Sequence, residues 1–146
     1  YVQPGKRPLS SMSPSLLIEK SSGKVMIVGG ASGGPRIITA TAQIILSYVT
    51  RGLDLISAVF APRYHSQLLP DVAYIENRTI TWKDPGPMRF EVDKDSRTAL
   101  QERGHEISAL SSTDFGCSQF LAVDVDSGQV VGGADPRKNG RALGVM

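Results

Sequence analysis

Apolar residues fall in short runs along most of this chain and switch to helical spacing in only a few places. Leu16-Leu17-Ile18 and residues 24–28 are two such runs, separated by Ser21-Ser22-Gly23, a pattern that predicts a hairpin. The second run leads into Gly29-Gly30-Ala31-Ser32-Gly33-Gly34-Pro35. Over residues 36–49, Ile37, Ile38, Ile44, Ile45, Tyr48 and Val49 recur at helical spacing, with Gln43, Ser47 and Arg51 on the other side. Pro35 suits the first turn of that helix, where its missing N–H costs nothing, and Gly52 ends it. A short helix over 54–60 stops before Pro62, and 61–72 forms a loop over the core.

Further on, residues 72–76 and 79–82 read as two short strands, and Pro85-Gly86-Pro87 breaks the chain. Residues 95–103 predict a helix ended by Gly104, and 105–109 a strand. Residues 119–125 and 129–132 form a last hairpin around Asp126-Ser127-Gly128. The segment before the first strand, 1–14, is an extended loop rich in Pro, Ser and Gly, and the tail from Asp135 is polar. Strands outnumber helices and most are joined by hairpins, so the class is α+β with largely antiparallel sheets.

Composition narrows the function classes. The 146 residues suffice for a domain with a real core, and 40% hydrophobic with 21% charged residues is ordinary for a globular chain. A net charge of +2, with basic residues scattered, gives no electrostatic footprint for nucleic acid. No apolar run approaches the roughly 18 residues of a membrane span. The chain opens without an initiator Met or a signal-peptide pattern, which fits a fragment or a processed product. The single cysteine, Cys117, excludes an internal disulfide framework and a multi-Cys metal site, and its apolar neighbours suit an inert half-buried strand position. Asn77-Arg78-Thr79 is an N-glycosylation sequon, a weak signal that matters only in a secreted protein.

The glycine loop carries the candidate chemistry, and two readings compete for it. Gly33 and Gly34 offer main-chain N–H groups at a helix start, where the first amides lack internal partners and the peptide dipoles add partial positive charge. Glycine also lets a carbonyl approach without a Cβ in the way. Two such donors are what a tetrahedral oxyanion requires. Alternatively, Gly30-Ala31-Ser32-Gly33-Gly34 matches G-x-S-x-G, the nucleophile elbow, with Ser32 attacking, His105 as base, and Asp71 or Asp84 between them. That elbow sits on a parallel sheet, which the hairpins on both sides here do not supply. A Walker loop fails for want of a lysine in Gly33-Gly34-Pro35-Arg36, and no register admits G-x-G-x-x-G. A structural turn without a ligand is the plain third possibility.

The upstream loop adds to the first of these readings. Lys6-Arg7-Pro8-Leu9-Ser10-Ser11-Met12-Ser13-Pro14, a hairpin, Gly30-Ala31-Ser32-Gly33-Gly34 and an apolar helix together resemble the γ-glutamyltransferases, or glutathione hydrolases. Ala61-Pro62-Arg63-Tyr64-His65-Ser66-Gln67-Leu68-Leu69-Pro70-Asp71, then Gly104-His105, then Ala134-Asp135-Pro136-Arg137 extend the resemblance over nearly the whole chain. It implies part of an N-terminal-nucleophile hydrolase αββα sandwich, with residues 1–146 forming the C-terminal portion of the small subunit. It also implies transfer of a γ-glutamyl group from glutathione or related amides to water or to an amino-acid or peptide acceptor. An N-terminal Thr, freed by autocatalytic cleavage of a proenzyme, would be the nucleophile, with its own amine as base. By the same resemblance, Ser10 and Ser11 bind the α-carboxylate of the γ-glutamyl group, and Gly33 and Gly34 supply the oxyanion-hole amides. Many relatives carry Pro where this chain has Ser32, so its hydroxyl is dispensable. The Thr and the residues gripping the α-amine lie upstream of this chain, so the chain alone is expected to be inactive. A large subunit of the same proenzyme is the implied partner, no cofactor is needed, and an extracellular, cell-surface or vacuolar location follows. A serine hydrolase with Ser32 on a G-x-S-x-G elbow and a non-catalytic homologue are the alternatives.

His65 and His105 read as packing or hydrogen-bonding residues, since a threonine using its own amine needs no imidazole. Arg63 and Arg137 are expected in ion pairs that hold loops, and Asp135-Pro136-Arg137 in a structural turn. Trp82 reads as a core or edge aromatic.

Overall fold

A computed structural model describes residues 1–81, 83, 86–110 and 115–144; Trp82, Asp84 and Pro85 lie outside the described residues. Strands β1 (Ser15–Ile18) and β2 (Val25–Ser32) form the expected hairpin, with Leu16 opposite Val28 and Leu17 opposite Ile27. β2 does not stop at Val28 as the apolar run predicts. It continues through both glycines to Ser32, because β7 (Cys117–Val123) pairs with it residue by residue from Ile27–Ala122 to Ser32–Cys117. β8 (Val130–Ala134) closes an antiparallel sheet of order β1-β2-β7-β8. At Gly29 the close approach of Phe120 leaves no room for a Cβ, so only glycine lets this strand lie so near that ring.

Helices α1 (Arg36–Arg51) and α2 (Leu55–Phe60) cover one face of this sheet. Ile44 from α1 and Leu55, Ala58 and Val59 from α2 pack with Ile27, Phe120 and Ala122 into one buried cluster. Helix α1 begins after Pro35 and stops at Gly52, which takes the left-handed conformation at φ 67°. Asp54 caps α2 through the main-chain N–H of Ser57.

The second sheet is built around β4 (Ala73–Thr81). Two strands were expected here; the structure has one, because Asn77 and Arg78 pair with Glu91 and Phe90 of β5 (Pro87–Glu91). β5 itself is not predicted by the sequence pattern. The first half of β4 is flanked on one edge by the two-residue β3 (Tyr64–His65), inside the stretch expected to be all loop, and on the other by β6 (Ile107–Leu110). β6 follows α3 (Lys94–Glu102) and runs parallel to β4, a departure from the antiparallel expectation that a helical crossover makes possible.

A buried ionic network joins the two sheets. Arg63 meets Asp135 at 2.7 Å; Arg137 holds Glu76 through Nε and Nη2, each at 2.7 Å, and reaches Asp135 at 3.2 Å. Arg78 Nε lies 3.3 Å from Glu76. The Arg137 guanidinium also sits 4.1 Å from the ring centre of Phe90. The sequence-based expectation of structural roles for Arg63, Arg137 and Asp135-Pro136-Arg137 is met; Arg137 lies in a single 3-10 turn, Pro136–Lys138.

Burial alone would push the Asp135 carboxyl up, but Arg63 and Arg137 beside it, with N–H donors from Arg137 and Ser118, hold it below the ordinary carboxylate range. The unfolded chain therefore takes up this proton before the folded one does as pH falls. The stability contributed by Asp135 is complete above about pH 4, the ordinary Asp value, and is lost as pH falls through the lower folded value. Urea midpoints should fall over that range, and Asp135→Asn should remove this part of the slope. At neutral pH, Glu76→Gln leaves guanidinium groups buried opposite a neutral amide and should cost about 3–5 kcal/mol in urea denaturation.

Candidate functional site

Gly33 and Gly34 lie where β2 hands over to α1. Gly33 (φ 140°) and Gly34 (φ 60°) make the turn in backbone conformations that side chains disfavour. Neither main-chain N–H of the pair donates to a carbonyl among the described residues. Pro35 caps α1 without any side-chain hydrogen bond, and no acidic residue lies in the first turn. Two amides at the positive end of a sixteen-residue helix are thus left unneutralised.

The serine loop approaches this turn from β1. Ser10, exposed, accepts from the Met12 N–H at 3.1 Å; Ser13 donates to the Ser11 carbonyl, and Ser15 to that of Ser13, both at 3.1 Å. These local bonds hold an extended but structured segment. At Gly30 a Cβ would meet Pro14 Cα at 3.6 Å, so the loop runs directly beside β2 as it nears the glycine turn. The strand pairing ends at Ser15 opposite Gly29, short of Ser10 and Ser11. A shallow cavity of about 390 Å³, lined by Pro14, Ser15, Leu16, Val28, Gly29 and Gly30, opens beside this approach. Neither this cavity nor a larger one of about 730 Å³, lined in part by Leu121, Val130 and Leu143, contains Ser10, Ser11, Gly33 or Gly34.

Ser32 is exposed at the end of an antiparallel strand and has no hydrogen bond to either histidine among the described residues. His65 is buried, with Nδ1 2.8 Å from Thr39 Oγ1 and Nε2 2.9 Å from Gln67 Oε1, so both ring nitrogens are occupied in packing, as the sequence reading expects. His105 and Asp71 are exposed; Asp84 lies outside the described residues. Cys117 is half-buried on β7, and burial together with the Asp135 charge pushes its thiol up, away from reactivity. Asn77 is half-buried within the central strand β4 rather than on a surface loop, the setting its sequon implies. Of Thr39, Gln43 and Tyr74, which link the start of α1 to β3 and β4, the sequence pattern names only Gln43, as part of the polar side of the helix.

A family model, Gamma-glutamyltranspeptidase, matches residues 1–145 of the chain. The chain belongs to this family. Glutathione hydrolase 2 of Arabidopsis thaliana is 36% identical to it over 145 residues, which are 96% of this chain and 24% of that protein. The glutathione hydrolase proenzyme of Escherichia coli is 37% identical over 136 residues, 93% of this chain and 20% of that protein. The chain therefore spans about a quarter or less of the length of these relatives. Among solved structures, the γ-glutamyltranspeptidase of Pseudomonas nitroreducens complexed with L-DON superposes with a TM-score of 0.76 at 32% identity, covering 99% of this chain and 67% of that one. The α+β fold with antiparallel sheets is accordingly that of the N-terminal-nucleophile hydrolases.

Among the described residues, no histidine or carboxylate is hydrogen-bonded to the Ser32 hydroxyl to act as its base. In the complete enzyme, Ser32→Ala should leave kcat within about twofold, and a fluorophosphonate probe should not label Ser32. A serine nucleophile would lose about 10⁴-fold or more on the same change.

Proposed function

We propose that this chain forms one wall of the active site of a γ-glutamyl-transferring hydrolase that acts on glutathione and other γ-glutamyl amides. Gly33 and Gly34 donate their N–H groups to the oxyanion, and Ser10 and Ser11 donate their hydroxyls to the substrate α-carboxylate. The observation that carries this reading is the glycine turn itself: two free amides at a helix start, with a serine-bearing loop running beside the strand that leads into them.

The chemistry follows from those donors. A carboxylate only accepts hydrogen bonds, and two hydroxyls satisfy it without adding charge. With the α-carboxylate held there, the γ-carbonyl carbon is presented for attack while its oxygen points at the two amides. Charge that develops on that oxygen meets pre-aimed dipoles, an interaction stronger in the transition state than in the bound substrate. The nucleophile is the hydroxyl of an N-terminal Thr, exposed by autocatalytic cleavage on a segment outside these 146 residues, and its α-amine takes the proton. The acyl-enzyme forms as the amine product leaves with that proton, and water or the amine of an amino acid or peptide then releases the γ-glutamyl group.

On this reading the chain is the C-terminal portion of the small subunit and works against the large subunit of the same proenzyme. By itself it releases no glutamate. An extracellular, cell-surface or vacuolar setting fits the same reading.

The test separates carboxylate binding from chemistry. In the complete enzyme, Ser10→Ala or Ser11→Ala should raise KM for a γ-glutamyl amide about ten- to a hundredfold, the loss of one hydrogen bond to a charged group. With a substrate analogue lacking the α-carboxylate, the same substitutions should change nothing. An equal penalty on both substrates would remove the carboxylate role.

A further inference from the structure

Among the described residues, only the Gly34 carbonyl of the glycine turn is bonded, accepting from the Ile37 N–H at 3.1 Å, yet the turn's amides are useful only if they hold one direction. Their neighbours in sequence supply the restraint. Arg36 and Thr39, three apart at the start of α1, lie on the same helix face. The Arg36 guanidinium carbon sits 5.6 Å from the ring centre of Tyr74, a cation–π distance. Arg36 Nε is buried and has no hydrogen-bond partner among the described residues, so stacking on Tyr74 is the contact seen at that end of the side chain.

Tyr74 is in turn stacked on His65, its cross-strand partner in the β3–β4 pair, with centroids 6.5 Å apart and planes 20° from parallel. His65 closes the circuit through Nδ1 to Thr39 Oγ1 at 2.8 Å, and that hydroxyl also lies 3.3 Å from the Arg36 carbonyl. One turn later, Gln43 reinforces the contact: its Nε2 donates to the Tyr64 carbonyl at 2.8 Å and its Oε1 accepts from the Tyr64 N–H at 2.9 Å. The first turn of α1 is thereby tied to the second sheet by a ring of four side chains, although Gly33 and Gly34 touch none of them through side chains of their own.

We propose that Arg36, Tyr74, His65 and Thr39 form a brace that aims the Gly33–Gly34 amides, with Tyr74 and Arg36 as positioning residues for γ-glutamyl transfer. This rests on the oxyanion-hole reading of those amides. The brace acts on the transition state through the turn it holds, so its loss lowers kcat and leaves substrate binding nearly intact.

Two readouts on the complete, processed enzyme test it. The first is kcat per active site, with sites counted by a covalent γ-glutamyl analogue, together with KM. The second is amide hydrogen exchange over residues 33–40. Tyr74→Leu, which removes the aromatic face, should lower kcat per site about tenfold or more with KM within about twofold, and should quicken exchange. Tyr74→Phe, which keeps the face, should restore both. Arg36→Gln removes the cation without emptying the packed side of the ring, and should show the same split if Tyr74→Leu fails to assemble. Unchanged kcat per site in a variant whose exchange has quickened would overturn the proposal. So would a loss that appears only as fewer titratable sites, or only as a raised KM. Failure of the underlying oxyanion reading is separable: an enzyme without γ-glutamyl transfer would end that reading, and hydrogen exchange would still show whether the brace exists.

Discussion

Five buried ionic side chains hold the two sheets in register, and the rest of the structure depends on them. Arg63, Arg78 and Arg137 face Glu76 and Asp135 with little or no exposure to solvent. Removing each such charge from water costs several kcal/mol, and attraction repays it only where the remaining donors are also satisfied. Here carbonyls at the end of one element and the start of another take several of those donors, while Arg63 Nε and Arg78 Nη2 have no partner among the described residues. Arg63 and Arg137 both donate to the Val59 carbonyl and Arg137 to that of Ala61, at the C-terminus of α2, where cations also complement the helix dipole. Arg63 further donates to the carbonyls of Phe115 and Gly116 at the start of β7. The network is therefore a shared cap for a helix end and a strand start. An apolar replacement would fill the same volume but leave those carbonyls unbonded.

That geometry reaches the site by a short path. Asp135 accepts from the Ser118 N–H and hydroxyl, which fixes β7 where it begins. The last rung of the β2–β7 ladder, Ser32 opposite Cys117, is built on that start. Beneath it Gly116, left-handed at φ 78°, leaves no slack: a Cβ there would lie 3.1 Å from the Ser32 carbonyl oxygen. The point where β2 ends and the Gly33–Gly34 turn begins is thus set by ions buried in the middle of the molecule.

Sequence and structure agree where the deciding interactions are local. Pro35 and Gly52 bracket α1 and the apolar period lies between them, so the helix is legible without tertiary knowledge. The serine loop and glycine turn are legible as a resemblance, because their residues are contiguous. Where partners are distant, the reading fails. Within β4, Glu76 is fully buried because Arg137 stands 61 positions away, and Arg78 beside it pairs with Glu76; polar residues in the middle of a strand looked like a break. β5 begins at Pro87, permitted for the first residue of a strand, and the Pro-Gly-Pro signal hid it. Ion pairs for Arg63 and Arg137 followed from residue type, but the acids they meet did not.

The same distinction explains why the turn proposed as the oxyanion hole needs support from outside itself. An amide that stabilises an oxyanion must be free in the resting fold, so it contributes no hydrogen bond to its own conformation. Glycine, chosen for access, adds no side chain and brings the largest conformational freedom. A turn built for the reaction is then among the least self-supporting pieces of the chain. Its direction has to come from what flanks it: a strand end locked by the ionic network on one side, and on the other a helix start held through Arg36 and Thr39 to Tyr74 and His65. The two restraints arrive from different sheets, so the turn is defined only when both sheets are in place.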